Sequence, residues 1–215
     1  MYCHLMFYVR VILLTLVILT CLIGDNYVEL TRHPLLKALC DNAIHAAIGA
    51  ISGITFVIHL HDKLTNTAGW ILIFACFVTS SFIDLDHFIE ARSLSLEKAT
   101  SLTHRPFLHC STIPLVLFLT YVATCCLNYF KTSLFLGVVC IAFFTHHTRD
   151  ALRRGYWFCP FGYTDKISYL FYVALTVVAP YLILYTYTIC KSIFIQNHMT
   201  EKTYDSRSTT RYTIV

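Results

Sequence analysis

The chain has 215 residues, 57% hydrophobic and 13% charged, with a formal net charge of +4 and a mean hydropathy of +0.63. A soluble domain carries about a quarter of its residues charged, so this composition excludes an ordinary globular protein and names the lipid bilayer as the first partner. The excess positive charge is scattered, with no basic block, zinc-finger spacing or RNA-binding aromatic motif, which excludes nucleic acid.

Apolar runs near the ~20 residues that cross a hydrocarbon layer predict an all-α, polytopic transmembrane helical bundle of about six helices, five being the alternative count. The first run spans Leu5 to Gly24. Its part from Val11 has the length of a signal-peptide core, but Leu22 and Gly24 fit a small-x-small cleavage site poorly, which favours a retained helix. The second spans Ala43 to Leu60, the third Trp70 to Ile83, the fourth Ile113 to Tyr129, the fifth Ser133 to Thr148 and the sixth Ser168 to Cys190. Only a short stretch around Lys131 separates the fourth from the fifth, so a tight helical hairpin is expected. Trp70, Tyr129, Tyr169 and Tyr172 stand near segment ends, where amphipathic rings favour the head-group zone.

Residues 1–190 thus form one membrane domain. Residues 191–215 read as a polar, disordered tail without an apolar face. The ten cysteines include no C-x-x-C pair and fall mostly inside apolar runs, where they act as small packing residues; disulfide and palmitoyl roles are the alternatives. Lys and Arg divide nine to seven between the two sides, too small a bias for the positive-inside rule to orient the chain.

Alternating crossings place four polar segments at one membrane face. Asp41 and His45 open the second helix, and Asp84, Asp86 and His87 close the third. His104, Arg105 and His109 precede the fourth, while His146, His147 and Asp150 close the fifth. Asp41 and His45, like His146 and Asp150, are four apart and share a helix face. The first pair continues through Gly49 and Gly53, small residues that admit a neighbouring helix. On the third helix the matching line is Cys76, Ser80 and Asp84. Ionisable groups at membrane depth cost on the order of 2.5–3.5 kcal/mol each on insertion scales, so a cluster of one chemical type calls for compensation. A divalent cation supplies it: imidazole with carboxylate suits zinc, iron or manganese, and several carboxylates suit two ions. Taken singly, each residue also has a plain reading. Asp41 fits a helix N-cap, and Asp150 with Arg149, Arg153 and Arg154 fits a solvated charged face.

The segments Ile83-Asp84-Leu85-Asp86-His87, His104-Arg105-Pro106-Phe107-Leu108-His109 and His146 to Asp150, followed by Gly155 and Pro160, resemble the motifs of the bacterial membrane-bound metal-dependent hydrolases, which include inner-membrane LexA-binding proteins. Order and spacing match over about residues 41–162, and His45 with Gly49 matches that family's early helical His. As a whole the chain is similar to the animal transmembrane protein 267 family. Ile83 stands where the bacterial pattern has Pro, Pro106 where it has Gly, and Cys110 where it has Ser. The ligand types persist while the loop around them differs.

The resemblance implies a membrane-bound hydrolase with a divalent metal held by His45, Asp84, Asp86, His109, His146 and Asp150. His87 or His104 then transfers the proton, since imidazole titrates nearest neutral pH. Arg105 holds an anionic group with its planar fork, and a lipid-borne ester or phosphoester is the matching substrate. The alternatives are a non-catalytic membrane protein with a structural polar or metal cluster, and an ion transporter. A transporter requires polar residues through the membrane depth, where only His59 and His61 stand at the opposite end. Thr213-Ile214-Val215 fits a PDZ-domain ligand, which such domains read by strand addition and carboxylate capture.

Overall fold

The computed structural model describes residues 2–212, with side chains described over 4–196; Thr213 and Val215 of the PDZ-like ending lie outside the described residues. In chain order the helices are α1 (Tyr2–Leu30), α2 (Pro34–Ile58), α3 (Asn66–Phe82), α4 (Asp86–Glu90), α5 (Leu96–Thr100), α6 (Thr112–Cys126), α7 (Phe130–Arg154) and α8 (Tyr169–Tyr212). A 3-10 turn, Ile83–Leu85, joins α3 to α4 almost without a break, and another, Phe107–His109, precedes α6. The only strands among the described residues are Trp157–Phe158 and Gly162–Tyr163, a small antiparallel hairpin after α7.

Five spans are long and apolar enough to cross a membrane: His4–Leu30, Pro34–Ile58, Asn66–Glu90, Phe130–Arg154 and Tyr169–Gln196. Their number, length and composition are those of a multi-pass membrane protein. The sixth apolar helix, α6, has 15 residues and is therefore about 22 Å long, short of the ~30 Å hydrocarbon layer.

Local chemistry sets the ends. Thr65 caps α3, its hydroxyl accepting from the Ala68 amide at 3.2 Å. Pro34 begins α2 at a position that needs no amide donor. The helix therefore starts earlier than its apolar run, and Asp41 lies two turns inside it, not at its cap. Helix α7 likewise continues past Thr148 to Arg154, which puts Asp150 on a helical face. It ends at Gly155, whose φ of 70° and closeness to the Thr164 carbonyl admit no side chain. The expected tight hairpin between α6 and α7 turns at Asn128, φ 60°, a residue that tolerates the left-handed region.

Helices α2, α3, α7 and α8 surround an apolar core that includes Phe56, Cys76, Val138, Ile141, Ile183 and Tyr187. Tyr121 of α6 joins it, and its buried hydroxyl donates to the Ile183 carbonyl at 2.7 Å. Large exposed apolar side chains on α1, such as Leu5, Leu22 and Ile23, are those of a helix facing lipid. Gly49 and Gly53 pack α2 on α3 as their spacing predicts. A Cβ on Gly53 would stand 3.0 Å from that of Cys76, and one on Gly49 would run into the Ser80 side chain.

Replacing Gly53 by Leu forces α2 away from α3. Overpacking of this kind costs about 1–3 kcal/mol, so a lower midpoint is expected when helical circular dichroism is followed against temperature in detergent. An unchanged midpoint would mean that the two helices do not meet along this line.

Candidate metal centre

The polar ends of α2, α3, α4 and α7 and the turn before α6 converge as the alternating topology requires. His109 is at the middle. Its Nε2 lies 3.2 Å from Asp150 Oδ2, 3.4 Å from Asp84 Oδ1 and 3.3 Å from His146 Nε2. Its Nδ1 faces both oxygens of Asp86 at 3.2 Å. His146 Nε2 lies 3.5 Å from Asp84 and 3.7 Å from Asp150. The His45 ring stacks on that of His146, centroids 3.8 Å apart, with Nε2 3.6 Å from Asp150 Oδ1.

Two trios of ligand atoms result: His45, His146 and Asp150 form one, and Asp84, His87 and His109 the other. Within each trio the atoms lie within 4.8 Å of one another. The contacts of Asp84 with His146, and of Asp150 with His109, join the two trios into a single cluster.

The supporting contacts decide which nitrogens face inward. His146 Nδ1 is 3.0 Å from the Ser80 carbonyl. A carbonyl only accepts, so that nitrogen carries the proton and Nε2 presents a lone pair to the cluster. Asp86 does the same for His109 through Nδ1. The carboxylate is itself fixed by the Leu108 amide at 2.7 Å, and it also meets His87 Nδ1 at 3.2 Å. A carbonyl or carboxylate behind an imidazole is the usual outer shell of a metal-binding histidine. Asp86 thus reaches the cluster through His109 and His87.

Neither ring nitrogen of the buried His45 has a hydrogen-bond partner, a costly state that coordination would relieve. The carboxylates of Asp150, Asp84 and Asp86 surround the His109 ring and favour positive charge at this point. Such a set of donors could hold a cation. Its imidazole and carboxylate donors fit zinc, iron or manganese.

A polar cavity of about 110 Å³ opens on the cluster, lined by Asp84, His87, His109 and Asp150 and by Arg105, Arg153 and Arg154. Arg105 donates from Nη1 to the Gly155 carbonyl at 2.9 Å, while its Nη2 is buried without a partner. His104 is not brought in: it is exposed, with Nδ1 2.6 Å from the Thr103 hydroxyl. His147 is buried behind the site, with Nε2 2.8 Å from the Leu108 carbonyl and Nδ1 3.3 Å from the Ser111 hydroxyl, and it holds the turn that carries His109.

Beside the cluster is a network that the sequence reading missed. Arg149, 1% exposed, reaches Asp25 at 2.8 Å and Asp41 at 2.7 Å. Arg153 grips both oxygens of Asp41 at 3.0 and 2.5 Å. Arg149 is therefore a buried ion-pair partner, not part of a solvated face, and Asp41 is engaged by arginines. Asp25 closes the first apolar run, 124 positions from Arg149, and no spacing pattern links the two.

The chain resembles vertebrate proteins over three quarters of its length. Transmembrane protein 267 of Danio rerio is 41% identical over 167 residues, covering 75% of this chain and 73% of the relative. Those of Bos taurus and Mus musculus are each 37% identical, over 171 residues (76% of both chains) and 170 residues (75% of both chains). No protein-family model and no solved structure matches the chain.

Two measurements test this geometry. In zinc titrations of detergent-solubilised protein, His146→Ala should abolish tight binding, while Asp86→Asn should weaken it roughly 10–100-fold, as loss of an outer-shell partner does. Equal loss in both variants would make Asp86 a direct ligand. Asp25→Ala leaves a buried arginine partly uncompensated and should destabilise the protein by about 3–5 kcal/mol, read from denaturant unfolding. A change near zero would show that Asp41 alone suffices.

Proposed function

The chain belongs to the transmembrane protein 267 family, and we propose that it holds one or two divalent metal ions at one membrane face and hydrolyses an ester or phosphoester presented at head-group level. The observation that carries this reading is the joined pair of His/Asp trios opening on a cavity that arginines also line. The likeness of its motifs to bacterial membrane-bound hydrolases, read from the sequence alone, points the same way.

His45, His146 and Asp150 hold one ion, and Asp84, His87 and His109 the other, with Asp86 and the Ser80 carbonyl orienting the imidazoles. A divalent cation supplies Lewis acidity toward an ester or phosphoryl oxygen and makes water more acidic. Hydrolysis consumes one water, its hydroxyl going to the acyl carbon or phosphorus and its proton to the departing alcohol. A histidine that lines the cavity fits that proton transfer at neutral pH. His87 serves where a single ion leaves it free, and Asp86 fixes its Nδ1. Arg105 binds an anionic substrate oxygen through Nη2. Its Nη1 stays on the Gly155 carbonyl.

A second reading has one observation in its favour. Pro106 and Cys110, in the loop that bears His109, replace the Gly and Ser of the bacterial pattern, which suits a structural metal centre without turnover. An ion path has less in its favour, because the ionisable residues of the cluster gather at one end and the buried polar residues beyond it are hydroxyl side chains such as Ser52, Thr55 and Thr145.

Metal content by mass spectrometry, on protein purified without chelators, comes first. Near-stoichiometric zinc, iron or manganese is expected in the wild type and none in a folded Asp84→Ala/His109→Ala variant. Metal-free wild-type protein would sink the proposal. Turnover of lipid phosphoesters in mixed micelles then separates the two readings. Arg105→Lys should raise KM for anionic substrates about tenfold, the cost of one lost charge-assisted contact. A metal-loaded protein without turnover on either esters or phosphoesters would favour the structural centre.

A further inference from the structure

Next to the polar cavity lies a second and larger hollow of about 580 Å³, within the ~300–1,000 Å³ typical of ligand sites. Its walls come from the first turns of α2 and from the α4–α5 segment, and they are largely apolar: Leu35, Ala38, Leu39, Phe88, Leu94 and Leu96. Asp41, Asp84, His87 and Arg153 line both hollows. The apolar groove and the metal site are therefore continuous.

The groove also opens outward. Leu35 and Leu39 are exposed, and Leu94 is 94% exposed. They stand on elements that pack at the polar ends of α2 and α3, where bilayer meets water. Short segments with leucines on one side and Glu90, Arg92, Glu97 and Lys98 among them are suited to the interfacial layer. An apolar surface there is reached by acyl chains, not by water-soluble metabolites.

We propose that this groove seats one acyl chain of an anionic phospholipid whose phosphate enters the polar cavity beside Arg105. Two independent features select that occupant. Continuity with the metal centre places the polar end of any chain in the groove among Asp84, His87 and Arg153. The buried Nη2 of Arg105 has no hydrogen-bond partner, although the guanidinium lies 5.6 Å over the Tyr163 ring; it suits an anionic oxygen, and Arg154 lines the same cavity. A neutral glyceride would leave that guanidinium nitrogen unpaired. The inference deepens the reading of the site as a phosphoester hydrolase and specifies the lipid it accepts.

The full chain, reconstituted in phosphatidylcholine nanodiscs containing a minor fraction of phosphatidic acid with a chain-borne diazirine, tests it. Photolabelled peptides should concentrate around residues 34–42 and 88–100. Leu94→Asp, at a position too exposed to disturb folding, should reduce that labelling on the order of tenfold, the effect of removing one favourable seat. Ala38→Trp, which fills the groove from its other wall, should do the same, with size-exclusion profile and helicity reporting that it folds. Arg105→Gln should reduce labelling by phosphatidic acid more than labelling by a phosphatidylcholine probe of the same chain.

Labelling spread evenly over the lipid-facing helices, or unaffected by Leu94→Asp, would overturn the groove. Equal labelling by both probes would overturn the anionic head group. Metal content of Leu94→Asp should match the wild type, so that failure of the metal reading and failure of the groove remain distinguishable.

Discussion

Arg149 is the constraint on which the functional end of this protein depends. A guanidinium 1% exposed near a membrane face persists only with compensation, and it receives one carboxylate from α1 and another from α2. Three helices are thereby fixed in register at the level of the candidate site. Its neighbour Asp150 is rotated by about 100° around α7 and faces the histidines instead. One turn of α7 therefore clamps the bundle with one residue and contributes to the candidate metal centre with the next. Such a pair need not add net stability over apolar packing; its value here is a defined position for the helix that carries His146 and Asp150.

Within the cluster, the second layer does as much as the ligands. An imidazole offers a lone pair at one nitrogen only when the proton is held at the other. The Ser80 carbonyl and the Asp86 carboxylate hold those protons on His146 and His109. Both belong to the α3–α4 segment, so packing of α3 on α2 through Gly49 and Gly53 is coupled to the electronic state of the site. The bundle's closest helix contact and its ligand orientation share one element.

Much of this was legible in the sequence, and the reason is periodicity. Apolar runs of sufficient length gave the crossings, and alternation of crossings brought four His/Asp segments to one end. The i, i+4 spacing of His146 and Asp150 put both on one face, and the glycine line of α2 gave its partner helix. What escaped was whatever depends on contacts between distant segments. Asp25 and Arg149 are joined by no motif. Asp41 shares a face with His45, yet it turns to Arg149 and Arg153, because spacing gives direction and not partner. Asp86 stands behind His109, since Asp84 within the 3-10 turn and Asp86 just after it meet opposite nitrogens of that ring. His104, two residues before the buried Pro106, stays outside because that loop turns inward only afterwards.

The shortness of α6 has a consequence for the membrane itself. Helices α6 and α7 start level at their shared hairpin, but α6 has ten residues fewer, 15 against 25, and so stops about 15 Å lower. The deficit falls entirely on the end bearing the histidines. The chain before Thr112 therefore meets α7 short of its Arg154 end, and non-helical backbone packed among helices is tolerated only where protein or water satisfies it. Here Asp86, His147 and the Trp157 carbonyl do so. The molecule is thus notched at one end, and the apolar cluster of the bundle lies beyond the notch. Under the proposed reading, lipid in the opposite leaflet would have to cross the bilayer before this site could meet it.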